Sequence, residues 1–244
     1  MDWSSLVAQI VPFIVRIQTK DKYGTGFIYW QHKDKCCIAT AKHVVAHADE
    51  PGWEQPIHIH QPNGKSVICY PDFRESYYST DEFGDSAAII LSKGGLEIPE
   101  RCLPLWDWSE IIPIGTPLGW LGYPVLIPND FRHPSFFSGT MSNAFNGINM
   151  FSIDGVAISG VSGGPVFFRG NDGCPRVIGT ISSYFANRVP TANGIETLPG
   201  LAFSHSFFAF TAIEDRLREL ENESQQFHQY LEVGREFRIP TVTV

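Results

Sequence analysis

Residues 160–168 read GVSGGPVFF, and the fold turns on what that stretch does. Gly160, Gly163, Gly164 and Pro165 crowd around Ser162, and then the chain becomes abruptly apolar. Glycine has no Cβ, so a backbone of this kind bends sharply and lets its N–H groups approach a bound molecule closely. Gly160, Ser162 and Gly164 also satisfy the G-x-S-x-G pattern of a nucleophile elbow, but that elbow opens a helix. Here Pro165 and the strand-forming VFF follow, which places Ser162 in an all-β setting. A tight turn between two strands would account for the same letters without any chemistry.

Working outward, the chain is a succession of short runs rich in β-branched and aromatic residues, bounded by Gly, Pro, Asn and Asp. They cover 13–18 (FIVRIQ), 24–30, 35–41 (KCCIATA), 57–61, 86–93 (SAAIILSK), 117–123, 156–160 (VAISG), 164–168, 176–185 and 200–206. Many short strands with turn signals between them predict an all-β sandwich or barrel. The tail differs. Over 211–232, Ile213, Leu217, Leu220, Phe227 and Leu231 fall at near-helical spacing, and Gly234 follows as a terminator, so a C-terminal helix packing on the barrel is expected.

Composition narrows the classes. With 244 residues, 43% hydrophobic and 18% charged, the chain can bury a sizeable core unaided. A net charge of -8 with no Lys/Arg cluster argues against a nucleic-acid partner. Cys36, Cys37, Cys69, Cys102 and Cys174 are odd in number and lack C-x-x-C spacing, so neither a disulfide framework nor a four-cysteine zinc site is expected. The first twenty residues carry Asp2 in place of a basic region, and Gln9 and Pro12 interrupt their apolar stretch, unlike a signal peptide. A cytoplasmic location without membrane partners follows as the expectation.

A serine that attacks a carbonyl needs a base and donors for the oxyanion. The N–H groups of Gly160 and Ser162 are candidates for the donors. His43, in IATAKHVVAH at the end of an apolar run, is the candidate base; the surroundings of His32, His58, His60, His133, His205 and His228 suit surface or hydrogen-bonded core roles. His43 and His47 lie four apart, but HVVAH lacks the glutamate of the H-E-x-x-H zinc motif and no third ligand stands out. Asp85, opening DSAAIILSK, is the candidate partner for the imidazole, with Asp81 as its rival. A turn residue or strand cap is the bland account of Asp85.

His43, Asp85 and Ser162 occur in that order along an all-β chain, whereas Ser-Asp-His and Asp-His-Ser orders belong to other architectures. With GTGFIYW, IATAKHVV, DSAAIIL, GWLGYP, SGTMSN, GVSGGPVF and VIGTISS in sequence over about 13–210, the chain resembles the chymotrypsin-like (trypsin-fold) serine peptidases, most closely the HtrA/Deg peptidase domain. The resemblance implies two six-stranded antiparallel β-barrels, the first over about 10–110 and the second over about 111–210, forming one domain over 1–210 ahead of the tail at 211–244. It implies Ser162 as nucleophile, His43 as general base and Asp85 as the residue that fixes the histidine tautomer. Gly160 and Ser162 would supply the oxyanion amides. No metal or cofactor is implied.

Departures from the pattern carry their own expectations. Where trypsins that cut after Lys or Arg hold an aspartate, this chain has Val156, with Ala157 beside it, so a small or apolar P1 residue is expected. Ser182 and Tyr184 complete the expected pocket wall. Val161, before the serine, replaces the aspartate that pairs with a newly cut N-terminus in zymogens, and the residues after 210 are too few for a PDZ domain. The enzyme class expected is a serine endopeptidase acting on a protein or peptide substrate, gated by a narrow target or an activating partner. A catalytically silent binding scaffold and an esterase are the competing classes.

Overall fold

The computed structural model describes residues 2–52, 54–101, 103–106, 112–125, 133–145, 149–191, 194–206 and 213–222, with the backbone alone at 198 and 199. The chain divides into two compact units, Met1–Phe210 and Thr211–Val244. The first holds two β lobes. One comprises β1 (Ile14–Gln18), β2 (Tyr23–His32), β3 (Lys35–Ala41), β4 (Ile57–His60), β5 (Ser66–Cys69), β6 (Arg74–Tyr78) and β7 (Ser86–Ser92), in the sheet order β5-β4-β1-β2-β3-β7-β6. The other comprises β8 (Pro117–Gly122), β9 (Ser135–Phe145), β10 (Met150–Asp154), β11 (Pro165–Arg169), β12 (Pro175–Thr191) and β13 (Gly194–Ser206), closed as β10-β13-β12-β11-β8-β9.

The second lobe is the expected closed six-stranded barrel. The first is a curled sheet of seven strands in which β5 and β6 remain edges. Period-2 patterning builds both cores. Ile57 and Ile59 of β4 point inward while His58 and His60 do not, and they join Ile17, Ile38, Ile89 and Leu91 in the first core. Leu118, Trp120, Val166, Phe168, Ile178 and Ile181 fill the second. An N-terminal helix absent from the sequence expectation, α1 (Ser4–Ile10), buries Leu6 and Ile10 four residues apart. Trp3 just before it sits 5.5 Å from Phe136 and 5.8 Å from Phe167, ring centre to ring centre.

Two sequence expectations are corrected. VAISG (156–160) is no strand but a loop ending in a turn, because Gly160 takes φ +95°, a conformation a regular strand cannot contain. Four strands went unpredicted, β5, β6, β9 and β10, because Ser, Asn, Gly and charged residues dilute their apolar alternation. In β6, Arg74 is itself buried and bonds Asp49 and the carbonyls of Ala48, Gln55 and Cys69. That cluster ties down the loop after His43.

Cys36, Cys37, Cys69 and Cys174 are free thiols, and Cys102 lies outside the described residues. Burial pushes the Cys36 thiol up to about 12 and Cys69 up to about 11, so neither is poised for thiolate chemistry. Among the described residues no helix is long and apolar enough to cross a membrane. In the second unit, residues 214–222 are helical, with Arg218 reaching Glu214 at 3.3 Å and Arg216 reaching Glu219 at 3.1 Å. The expected continuation to 232, with Phe227 and Leu231, lies outside the described residues.

Candidate active site

Two successive tight turns shape the serine loop. The N–H of Val161 donates to the Ile158 carbonyl at 3.0 Å, closing a turn with Gly160 at its third position. The N–H of Gly164 donates to the Val161 carbonyl at 2.9 Å, closing a second with Gly163, φ +85°, in the same place. Positive φ at that position is the signature of a type II turn, which is why glycine recurs three residues apart. Side chains are excluded as well, since a Cβ on Gly160 would lie 2.2 Å from the Tyr123 carbonyl oxygen. Among the described residues no acceptor meets the N–H of Gly160 or of Ser162.

The loop is fastened to the first lobe through Thr25 of β2. The Thr25 N–H donates to the Ser162 carbonyl at 2.8 Å, and its hydroxyl donates to the Gly160 carbonyl at 2.7 Å. The same hydroxyl accepts the Tyr123 N–H at 2.9 Å, and Thr25 is fully buried. Thr25→Val keeps the shape but strands both partners, which should cost about 2–3 kcal/mol of stability. An unchanged urea midpoint for the purified variant would refute that bridging role.

Antiparallel pairing of β3 with β7 matches Ala41 to Ser86, and the Lys42 N–H donates to the Asp85 carbonyl at 3.0 Å. The chain leaves β3 through α2 (Lys42–Val45), so His43 comes directly against Asp85. The Asp85 carboxylate accepts the His43 N–H on Oδ1 at 2.9 Å and faces His43 Nδ1 with Oδ2 at 2.7 Å. An ionised carboxylate only accepts, so the Nδ1 position carries the proton and Nε2 is left as the basic nitrogen. Asp81, the rival, is exposed, and its carbonyl closes a turn with the Gly84 N–H.

Ser182 completes the arrangement in a way its sequence position did not suggest. Expected along the pocket wall, it is 7% exposed and donates its hydroxyl to Asp85 Oδ2 at 2.6 Å. Its carbonyl accepts the Ser162 hydroxyl at 3.3 Å. One residue of the second lobe therefore touches both the acid and the serine. Burial raises the Asp85 carboxyl, but the hydrogen bonds from His43 and Ser182 outweigh it and hold the group below the usual carboxylate range. The Ser162 hydroxyl rests on Ser182, and no described hydrogen bond joins it to His43.

The other expected pocket residues differ in their surroundings. Val156 is 52% exposed, Ala157 packs against the second core, and the Tyr184 hydroxyl accepts the Gly200 N–H at 2.7 Å. His47 does not share a site with His43; its Nε2 meets the Thr19 hydroxyl at 2.8 Å. Among the described residues no three His, Cys, Asp or Glu side chains are grouped to hold a metal. His205 of β13 is buried opposite Thr180, its pKa lowered by burial against the opposing pull of Asp85 and Asp81. Nothing in its sequence surroundings marked that position.

Two antiparallel β lobes with histidine and aspartate on the first and serine on the second can be compared with known folds. Solved serine proteases share this fold. The Rv3671c protease in an inactive form is 18% identical with a TM-score of 0.55, over 85% of this chain and 89% of that one. A serine-to-alanine mutant of Rv3671c from M. tuberculosis H37Rv, also inactive, gives 18% and 0.52 over 85% and 87%. The thermostable serine protease AL20 from an extremophilic microorganism gives 20% and 0.54 over 81% and 92%. No family model matches the sequence. No curated protein matches it either.

Proposed function

We propose that this chain is a serine endopeptidase working through an acyl-enzyme. The observation that supports it most is the unbroken run of contacts from His43 to Asp85, from Asp85 to Ser182 and from Ser182 to Ser162. In this reading Ser162 Oγ attacks the scissile carbonyl carbon and His43 Nε2 takes its proton. The oxyanion meets the N–H groups of Gly160 and Ser162, donors of a kind worth about 3–4 kcal/mol of barrier. His43 returns the proton to the departing amine, and water then enters by the same route to release the acyl group. Asp85 holds the imidazole in its working tautomer and stabilises its charged form.

Val156 and Ala157 carry no charge for a basic P1 side chain, so the substrate is a polypeptide with a small or apolar residue before the cut bond. The Ser162 hydroxyl must leave the Ser182 carbonyl to reach His43, which fits an enzyme whose substrate or partner completes the site. A cytoplasmic setting remains part of the proposal. The test is covalent labelling by a fluorophosphonate, identified by mass spectrometry at Ser162 and absent in Ser162→Ala. Failure of the wild-type protein to label, with or without peptide present, would leave a binding scaffold as the better account.

A further inference from the structure

Alternation along β1 leaves a cation on the face turned away from the first core. Val15 and Ile17 belong to that core, so Arg16 between them points the other way. Its direct cross-strand partners are Thr25 of β2 on one side and His60 of β4 on the other. Directly opposed residues share a face, with Cβ atoms about 4.5–5.5 Å apart. The Thr25 hydroxyl accepts the Tyr123 N–H at 2.9 Å, which brings Tyr123, just beyond β8, to the same place. Side chains from both lobes thus meet around the Arg16 guanidinium.

Each of the three side chains brings a buried polar atom that has no hydrogen-bond partner: Arg16 Nε, His60 Nε2 and the Tyr123 hydroxyl. Tyr123 is only 8% exposed, whereas Arg16 and His60 are half-buried, so these atoms are enclosed while other parts of those two residues reach the surface. Among the described residues no carboxylate pairs with Arg16. Burial, then the Arg16 charge and then His58 hold the His60 imidazole below its ordinary range. Burial raises the Tyr123 phenol against the opposing pull of Arg16. No acid among the described residues enters either balance, although the whole chain carries a net charge of -8.

Buried polar atoms left dry and unpaired are costly, and these three beside an unneutralised charge define what would satisfy them. Arginine Nε only donates, a phenol donates through its O–H, and a neutral imidazole can carry its proton on Nε2. The matching ligand is an acceptor with negative charge and oxygens that point in several directions. We infer that Arg16, His60 and Tyr123 bind a small tetrahedral oxyanion, phosphate or sulfate, where the two lobes meet. The planar guanidinium fork suits two oxygens of such an ion, leaving others for the phenol and the imidazole. A flat carboxylate or a single-atom halide cannot serve donors that come from β1, β4 and the segment after β8 at once. Tyr123 also carries the carbonyl oxygen that a Cβ on Gly160 would approach to 2.2 Å, so the bound ion braces the backbone beside the serine loop.

The site is tested by binding to the full chain, independently of any chemistry at Ser162. Inorganic phosphate, or sulfate, at roughly a hundredfold excess over its dissociation constant should raise the melting temperature by about 5 °C or more relative to sodium chloride at equal ionic strength. Tyr123→Phe keeps the ring and removes the hydroxyl. It should weaken phosphate binding about tenfold or more in isothermal titration, yet leave the melting temperature without phosphate unchanged or higher, because a stranded hydroxyl goes with it. A purely structural role for that hydroxyl would lower the temperature instead. Arg16→Gln should abolish the phosphate effect, and if that variant does not fold, Tyr123→Phe decides. Chloride stabilising the protein as well as phosphate does, or Tyr123→Phe binding phosphate like the wild type, would overturn the inference. So would crystals grown from sulfate that hold only water at the three donors.

Discussion

Asp85→Asn is expected to lower kcat/KM on a cleaved peptide by about 10³–10⁴-fold while leaving the protein folded. The carboxylate accepts from three donors, the His43 N–H, His43 Nδ1 and the Ser182 hydroxyl. An amide cannot replace it in either orientation. With its NH₂ in the Oδ2 position it faces Nδ1–H and forces the proton to Nε2, the wrong tautomer for a base; with its NH₂ at Oδ1 it opposes the His43 N–H. The check is steady-state kinetics beside the labelling rate at Ser162 and a circular-dichroism melt. A loss below about tenfold would show that the imidazole is oriented by something else.

The same carboxylate gives the pH dependence its sign. Its folded pKa is depressed, so its contribution to stability is present above the unfolded value, about 4, and is lost as pH falls through the folded value. The difference in urea midpoint between wild type and Asp85→Asn should therefore be largest near neutral pH and shrink below about pH 4. A difference that grew on acidification would contradict the hydrogen-bonding pattern.

Gly163→Ala is expected to destabilise the fold by more than about 4 kcal/mol, the range reserved for a forced clash in a packed interior. A Cβ there would lie 2.1 Å from the Thr25 carbonyl oxygen, 2.2 Å from the Thr40 hydroxyl and 2.7 Å from the Ala41 nitrogen. All three belong to the first lobe's β2 and β3, and Thr40 Oγ1 is already committed to the Thr25 carbonyl at 2.7 Å. Gly115 supplies the control, because its φ is +90° but nothing lies within 4 Å of its would-be Cβ. Gly115→Ala should cost only about 1–2 kcal/mol of backbone strain. Similar urea midpoints for the two variants would mean that the close approach across the seam is not what fixes Gly163.

How much of this could be read beforehand depended on the kind of signal. β3 was legible to the residue because its run is continuous and apolar, and β7 and β11 nearly so. β9, with Ser135, Ser138, Gly139, Ser142 and Asn143, hides its alternation behind small polar residues, and only pairing with β8 and β10 makes it a strand. VAISG carries β-branched residues but sits where the turn geometry of Gly160 prevails. At the site, His43, Asp85 and Ser162 were singled out as candidates from chain order, and the structure sets His43 against Asp85. Ser182 and Thr25 were not, since a serine or threonine within a strand looks alike whether it faces solvent or a buried carboxylate. Their roles arise from the seam between lobes, which no local window contains.

Thr25 gives that seam a wider meaning. A single hydroxyl, dry on every side, is shared by the loop that carries the serine and by the backbone at Tyr123, while its own amide holds the serine's carbonyl. The backbone at Ser162 is thus not an appendage that can loosen while the body of the molecule persists. Heat or denaturant must dismantle the joint and the serine loop in the same cooperative event, so the proposed acylation at Ser162 and the integrity of the two β lobes should be lost together.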